Sequence, residues 1–131
     1  MKILINDDFM KYLKANDYKK VVLTRGKTRC VYMFTAQEWK KLEDKFTGAF
    51  KNSEELLQKF NDMFFKNVLT RDLAKNKFQE IPIPKDLEEW SGIGKKAVVI
   101  CFKDRVEFWP SKTYPKGRTK DAVVIQVDVK D

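Results

Sequence analysis

A repeated order of short segments constrains this chain more than any single motif. Ile3-Leu4-Ile5-Asn6-Asp7-Asp8-Phe9 stands near the start, and Ile81-Pro82-Ile83-Pro84-Lys85-Asp86-Leu87 follows some 78 residues later. Both read as a short apolar alternation, a two-residue gap, an aspartate able to cap a helix, and an apolar helix face. A lysine pair and a β-branched run come next in each case, Lys19-Lys20-Val21-Val22-Leu23 and Lys95-Lys96-Ala97-Val98-Val99-Ile100. Each copy ends on a second apolar alternation, Cys30-Val31-Tyr32-Met33-Phe34 and Arg105-Val106-Glu107-Phe108-Trp109. A duplicated strand–helix–strand–strand unit is expected, giving a pseudo-two-fold body of a kind that suits a pseudo-symmetric partner. At 131 residues the chain makes one domain, or two interlocked halves too small to stand alone.

Finer signals fill in this frame. Strands are expected over 2–5, 21–24 and 30–34, with the cationic turn Arg25-Gly26-Lys27-Thr28-Arg29 between the last two. Asp7 or Asp8 is expected to cap a helix over 9–14. Thr35 and Glu38 have capping-box spacing and open a helix through Phe46, with Trp39, Leu42 and Phe46 on its apolar face. A further helix begins at Ser53, and its stripe of Leu56, Leu57, Phe60, Met63 and Phe64 suits a core or a subunit contact. Residues 67–79 are basic, with no legible pairing. Pro82 and Pro84 remove ladder donors and place 81–83 at a sheet edge or a strand end. A short helix over 86–90 ends at Gly92, and a hairpin joins 97–102 to 106–109 across Lys103-Asp104. The basic, proline-containing stretch 110–120 reads as a loop. It leads to a strand over 123–129 that must pair either within this chain or with a neighbour.

Composition narrows the chemistry. The 27 Lys and Arg against 19 Asp and Glu give a net charge of +8, which suits a polyanionic partner or simply a solvated lysine-rich surface. The chain has no histidine, which excludes Cys/His zinc sites and histidine acid–base catalysis. Cys30 and Cys101 lie in strand-like runs and are expected as buried free thiols. Arg25, Lys27 and Arg29 stand near Cys30 and could lower its pKa, but burial is the commoner fate of such a cysteine. Glu54/Glu55 and Glu88/Glu89 are explained by helix starts and exposed faces. Gly92-Ile93-Gly94 is too short to cradle a phosphate and precedes a strand. No catalytic residue, metal site, cofactor or small-molecule substrate is therefore expected, and the protein is not read as an enzyme. Nothing resembles a secretory signal or a membrane span, so a cytoplasmic protein is expected.

Two blocks carry a family resemblance. Val21-Val22-Leu23-Thr24-Arg25-Gly26, Cys30-Val31-Tyr32-Met33-Phe34 and Gln37-Glu38-Trp39-Lys40-Lys41-Leu42 form the first. Ile83-Pro84-Lys85-Asp86-Leu87, Gly92-Ile93-Gly94-Lys95-Lys96-Ala97-Val98-Val99-Ile100 and Arg105-Val106-Glu107-Phe108-Trp109 form the second. In order, spacing and tryptophan placement the chain resembles the MraZ family, bacterial transcriptional regulators with two tandem AbrB-like swapped-hairpin units. The resemblance implies an α+β fold, with a first repeat over 1–52, a connecting helix and basic segment over 53–80, a second repeat over 81–114, and a divergent loop and strand over 115–131. It also implies a nucleoid-associated repressor of the division and cell wall gene cluster, acting as a ring-shaped homo-oligomer on repeated elements of double-stranded DNA.

The departures fall where the family touches DNA. Each family repeat opens on a D-x-x-x-R motif. Here Lys2 stands at the first arginine position, and Leu73-Ala74-Lys75-Asn76-Lys77 resembles the second motif with leucine for aspartate and lysine for arginine. An ungapped alignment instead puts Glu80 at that arginine position, where it would repel phosphate. Lys2, Arg71, Lys75, Asn76 and Lys77 are the DNA-binding residues expected on this reading, with Lys112, Lys116, Arg118 and Lys120 as further phosphate contacts. Lysine keeps the attraction but lacks the arginine fork, so relaxed readout with a strong salt dependence is expected. The alternative is an oligomeric interaction module of the same fold that has lost sequence-specific DNA binding.

Overall fold

The computed structural model describes residues 1–49, 53–64 and 68–131, without the side chains of residues 57, 60, 61, 63, 64 and 76. The fold is mixed α+β, with one curled, eight-stranded antiparallel sheet and four α-helices among the described residues. The chain runs through β1 (Lys2–Leu4), α1 (Asp7–Ala15), β2 (Lys20–Arg25), β3 (Val31–Thr35), α2 (Ala36–Ala49) and α3 (Glu54–Phe64). It continues through β4 (Leu69–Asp72), β5 (Glu80–Pro82), α4 (Lys85–Ser91), β6 (Lys96–Cys101), β7 (Val106–Pro110) and β8 (Val123–Lys130). The strand order is β4-β2-β3-β7-β6-β8-β1-β5.

Two strand pairings join the N-terminal and C-terminal halves of the chain. At one seam β1 pairs with β5 about Ile3↔Ile81, and at another β3 pairs with β7 about Tyr32↔Glu107. Matching hydrogen bonds recur on either side. Leu73 N–H donates to Lys19 O at 2.7 Å, and Val129 N–H donates to Lys95 O at 2.9 Å. Gly26 N–H donates to Cys30 O and Phe102 N–H to Arg105 O, both at 2.8 Å, closing the two hairpins. Across the β1–β5 seam, Ile5 N–H donates to Gln79 O and Ile83 N–H donates to Met1 O. The helices cross over as well: Tyr12 of α1 donates its hydroxyl to Phe102 O at the second hairpin, while Trp90 of α4 lies against Arg25 and Arg29 of the first.

β4 and β8 occupy equivalent places beside their hairpins, with Lys20↔Asp72 in one half and Lys96↔Asp128 in the other. The closing strand therefore finds its partners within this chain: β6 along most of its length, and β1 through Lys2↔Lys130 and Ile3↔Val129. β5 ends the sheet, in keeping with Pro82, which has no N–H to offer a further strand. β4 ends it on the other side; its four residues Leu-Thr-Arg-Asp carry no alternation that would mark a strand.

Period-two alternation divides the side chains between two cores. The inner face of the curl holds Ile3, Val21, Leu23, Met33, Ile81, Val99, Phe108 and Val127, and the ends are filled by Phe9 and Leu13 of α1 and Leu87 of α4. Phe9 meets Phe108 edge-on at 6.0 Å. The outer face holds Val22, Tyr32, Phe34, Val98, Ile100 and Trp109, covered in the first half by Trp39 and Leu42 of α2. The capping interaction expected at α2 is present, with Glu38 N–H donating to Thr35 Oγ1 at 3.1 Å. At α1 the cap is Asn6 and not an aspartate: Asn6 Oδ1 accepts from Phe9 N–H at 3.0 Å, and Asp7 and Asp8 lie in the first turn. Gly92 ends α4 at φ 70°, where a side chain would be strained.

The halves differ after their third strand. The first continues from Thr35 into α2. The second meets Pro110, Pro115 and Gly117 and forms a loop with a short 3-10 turn at Lys116–Arg118, from which Tyr114 and Ala122 cover the outer core. The apolar stripe expected on α3 lies mostly outside the described side chains; of its members, Leu56 is described and is 48% exposed. No helix among the described residues is long and apolar enough to cross a membrane.

Cys30 and Cys101 are free, buried thiols. Burial pushes both up to about 12; for Cys30 the Glu107 carboxylate adds to this, and hydrogen bonds from Thr28 and the Arg105 guanidinium oppose it. An unfolded thiol titrates near 9, so the native state holds these protons more tightly than the unfolded chain. Their contribution to stability is thus complete below pH 9 and declines as the pH rises from there towards 12. Ellman's reagent at pH 8 is expected to label neither thiol without denaturant, and the urea midpoint is expected to fall between pH 8 and about 10.5. Rapid labelling of the native protein would contradict this packing.

Candidate nucleic-acid interface

The residues expected to contact DNA lie on β1, on β4 and on the turn that follows β4. Lys2 leaves the core-facing row of β1 and pairs its Nζ with Glu80 Oε1 across the seam at 3.2 Å. Ile3 pairs with Ile81, and Glu80 precedes Ile81 as Lys2 precedes Ile3. An ion pair thus joins the two equivalent positions, and Lys2 is 43% exposed. Arg71 lies in β4 opposite Val21, at the position of Val127 in the other half, and so stands in the core-facing row of an edge strand. Its Nε is buried without a hydrogen-bond partner. Lys75 and Asn76 are in a 3-10 turn, Leu73–Asn76, and Lys77 caps it in the left-handed region at φ 54°. Both lysines are exposed, and the Asn76 side chain lies outside the described residues.

A different set of cations converges elsewhere. Arg29, Lys95, Lys96 and Lys112 line a half-open cleft of about 910 Å³ bounded by Trp109 and Pro110, and none of the residues lining it is acidic. The first hairpin tip supplies Arg29, the α4–β6 connection supplies the lysine pair, and the residues after β7 supply Lys112. Asp128 lies opposite Lys96 in register, but no ion pair joins the two among the described residues.

Two aromatic contacts organise the walls. The guanidinium groups of Arg25 and Arg29 lie 4.6 and 4.4 Å from the centroid of the Trp90 ring, so Arg29 is held on an aromatic face at the mouth of the cleft. Buried Glu107 accepts from Trp109 Nε1–H at 2.8 Å through one oxygen, and its other oxygen pairs with Arg105 Nη2 at 2.7 Å. Arg105 lies over the Tyr32 and Phe102 rings. Burial lowers its pKa, yet the Glu107 and Asp104 carboxylates outweigh that and raise it above its ordinary value. Arg118, one of the expected loop contacts, approaches the same carboxylate at 4.0 Å and is tied to the outer core by it. Lys116 lies over Tyr114, while Lys120 is exposed.

Sequence reading singled out the lysine pairs as landmarks of the repeat but missed Arg29, Lys95 and Lys96 as members of one site. The available signal was the repeat itself, since the two lysine pairs stand at equivalent strand starts with different neighbours. A scan against protein-family models finds no match to the chain.

Glu107 holds the cleft wall through Trp109, and removing it leaves a largely buried guanidinium and an indole N–H without their acceptor. Glu107→Ala is expected to cost about 3 kcal/mol or more in urea unfolding, because one partner of a buried ion pair is lost. A change below about 1 kcal/mol would show that the Glu107 network adds little.

Proposed function

We propose that this protein is a DNA-binding transcriptional regulator of the MraZ kind, built from two AbrB-like swapped-hairpin units, that reads duplex DNA mainly through its backbone phosphates. The observation that carries this reading is the pseudo-two-fold relation between the halves, expressed in the Ile3↔Ile81 and Tyr32↔Glu107 pairings. Duplex DNA is itself dyad-related, and regulators with two-fold symmetry commonly bind sites whose arrangement mirrors it. The crossed helix–hairpin contacts fit a swapped-hairpin body, and the net charge of +8 supplies the long-range attraction. Association into a homo-oligomer belongs to the same proposal, since β4 and β5 end the sheet among the described residues.

Relaxed sequence readout follows from the Lys2–Glu80 pair. A carboxylate beside the lysine offsets its attraction for phosphate, and the arginine fork is missing. The same pair favours a second reading, an oligomeric interaction module that keeps the fold without sequence-specific DNA binding. In fluorescence anisotropy, a duplex from upstream of the protein's own operon and a shuffled duplex are expected to bind within a few-fold of each other. For about four phosphate contacts, log K should fall against log salt with a slope of about −3.6. No binding to either duplex at low salt would reject the regulator and leave the interaction module.

A further inference from the structure

The pseudo-two-fold places two lysine pairs at equivalent positions, but it does not give them equivalent surroundings. Lys20 and Lys96 open β2 and β6, and the preceding Lys19 and Lys95 accept matching backbone hydrogen bonds, from Leu73 just after β4 and from Val129 of β8. Each pair borders a cleft. In the first half the cleft is about 250 Å³, is lined also by Asp17 and Gln37, and has Lys19 paired to Asp17 at 3.6 Å. In the second half the cleft is about 910 Å³ and acid-free. Buried Ile93 stands where Asp17 stands, and Lys112 where Gln37 stands. The enlargement goes with a different chain path: Thr35-Ala36-Gln37-Glu38 starts α2 over the first cleft, whereas Pro110-Ser111-Lys112-Thr113 runs on as a loop. At the tips, Arg29 precedes Cys30 in the first hairpin, while Asp104 precedes Arg105 in the second and pairs with it at 3.1 Å.

We infer that the second-half cleft is a binding site for a phosphate-bearing anion, held between Arg29, Lys95, Lys96 and Lys112, and that its first-half counterpart is not. Four cations around a concavity without a lining carboxylate repel one another, and a multiply charged anion relieves that repulsion through charge-assisted hydrogen bonds. Arg29 is pre-oriented on Trp90, so less freedom is lost when its fork meets phosphate oxygens. The volume accommodates a polyphosphate or nucleotide-sized group rather than a lone small ion. Two sources supply this chemistry, a free phosphorylated small molecule or the backbone of a nucleic acid. The site rests on the geometry of the cleft alone, so its test is separable from that of duplex recognition.

Backbone amide NMR of the full chain, titrated with inorganic tripolyphosphate, tests the site directly. Saturable shifts are expected at Gly94, Lys95, Lys96, Ser111 and Thr113. K95A/K96A should weaken binding about tenfold or more, as the loss of charge-assisted bonds implies, whereas K19A/K20A should stay within about two-fold of wild type. These four lysines are exposed, so neither double substitution disturbs the core. Absence of saturable shifts, or equal weakening by the two variants, would overturn the inference, the latter because net charge alone would explain it. The duplex arm identifies the source. If K95A/K96A lowers the magnitude of the log–log salt slope for DNA by about two, the bound phosphate is the nucleic-acid backbone. If that slope is unchanged while tripolyphosphate binding is lost, the ligand is a free phosphoanion.

Discussion

Pairing between equivalent strands of the two halves is the constraint on which the rest of the structure depends. Alone, neither strand–helix–hairpin unit could cover its apolar rows, because each inner face is completed by residues of the other. Phe9 of the first unit meets Phe108 of the second, and Ile3 lies opposite Ile81. The β3–β7 seam joins the hairpins, the β1–β5 seam joins the leading strands, and α1 and α4 each cross to the opposite hairpin. A chain of this length gains its core by interlocking two small units rather than by enlarging one.

At the hairpin seam the symmetry is deliberately incomplete in its chemistry. Tyr32 faces Glu107 where a true dyad would place identical residues, and the carboxylate is satisfied by Arg105 and by Trp109 Nε1–H. A buried charge is tolerated only when paired and hydrogen-bonded in this way. Because Trp109 also bounds the cationic cleft, the network that satisfies Glu107 fixes one wall of the candidate site. Arg29, which also lines the cleft, lies on the Trp90 ring, so an aromatic contact orients this cation as well.

Much of this architecture was legible from local patterns. Runs such as 21–24 and 97–100 are β-branched and bounded by turn residues, and both hairpins and the Thr35 cap could be placed from them. The capping residue of α1 was misplaced by one or two positions, because Asn6, Asp7 and Asp8 all suit a cap and only the backbone geometry chooses among them. β4 was illegible because Leu69-Thr70-Arg71-Asp72 has no apolar alternation and is defined by its neighbour β2. The partners of β8 were open because long-range pairing leaves no local trace. The cleft was missed for a related reason: its four cations come from three separate segments. The Arg105, Glu107, Trp109 alternation did place those side chains on one face, though it could not reveal that the carboxylate would be buried.

Native-state hydrogen exchange on the full chain tests the interlocked body most directly. Amides of β2 and β3 in the first half and of β6 and β7 in the second are expected to share one opening free energy, equal to that of global unfolding, because each half is completed by the other. Exchange of one half's strands at a distinctly lower free energy, with the other half still protected, would contradict it and show two independently folding units.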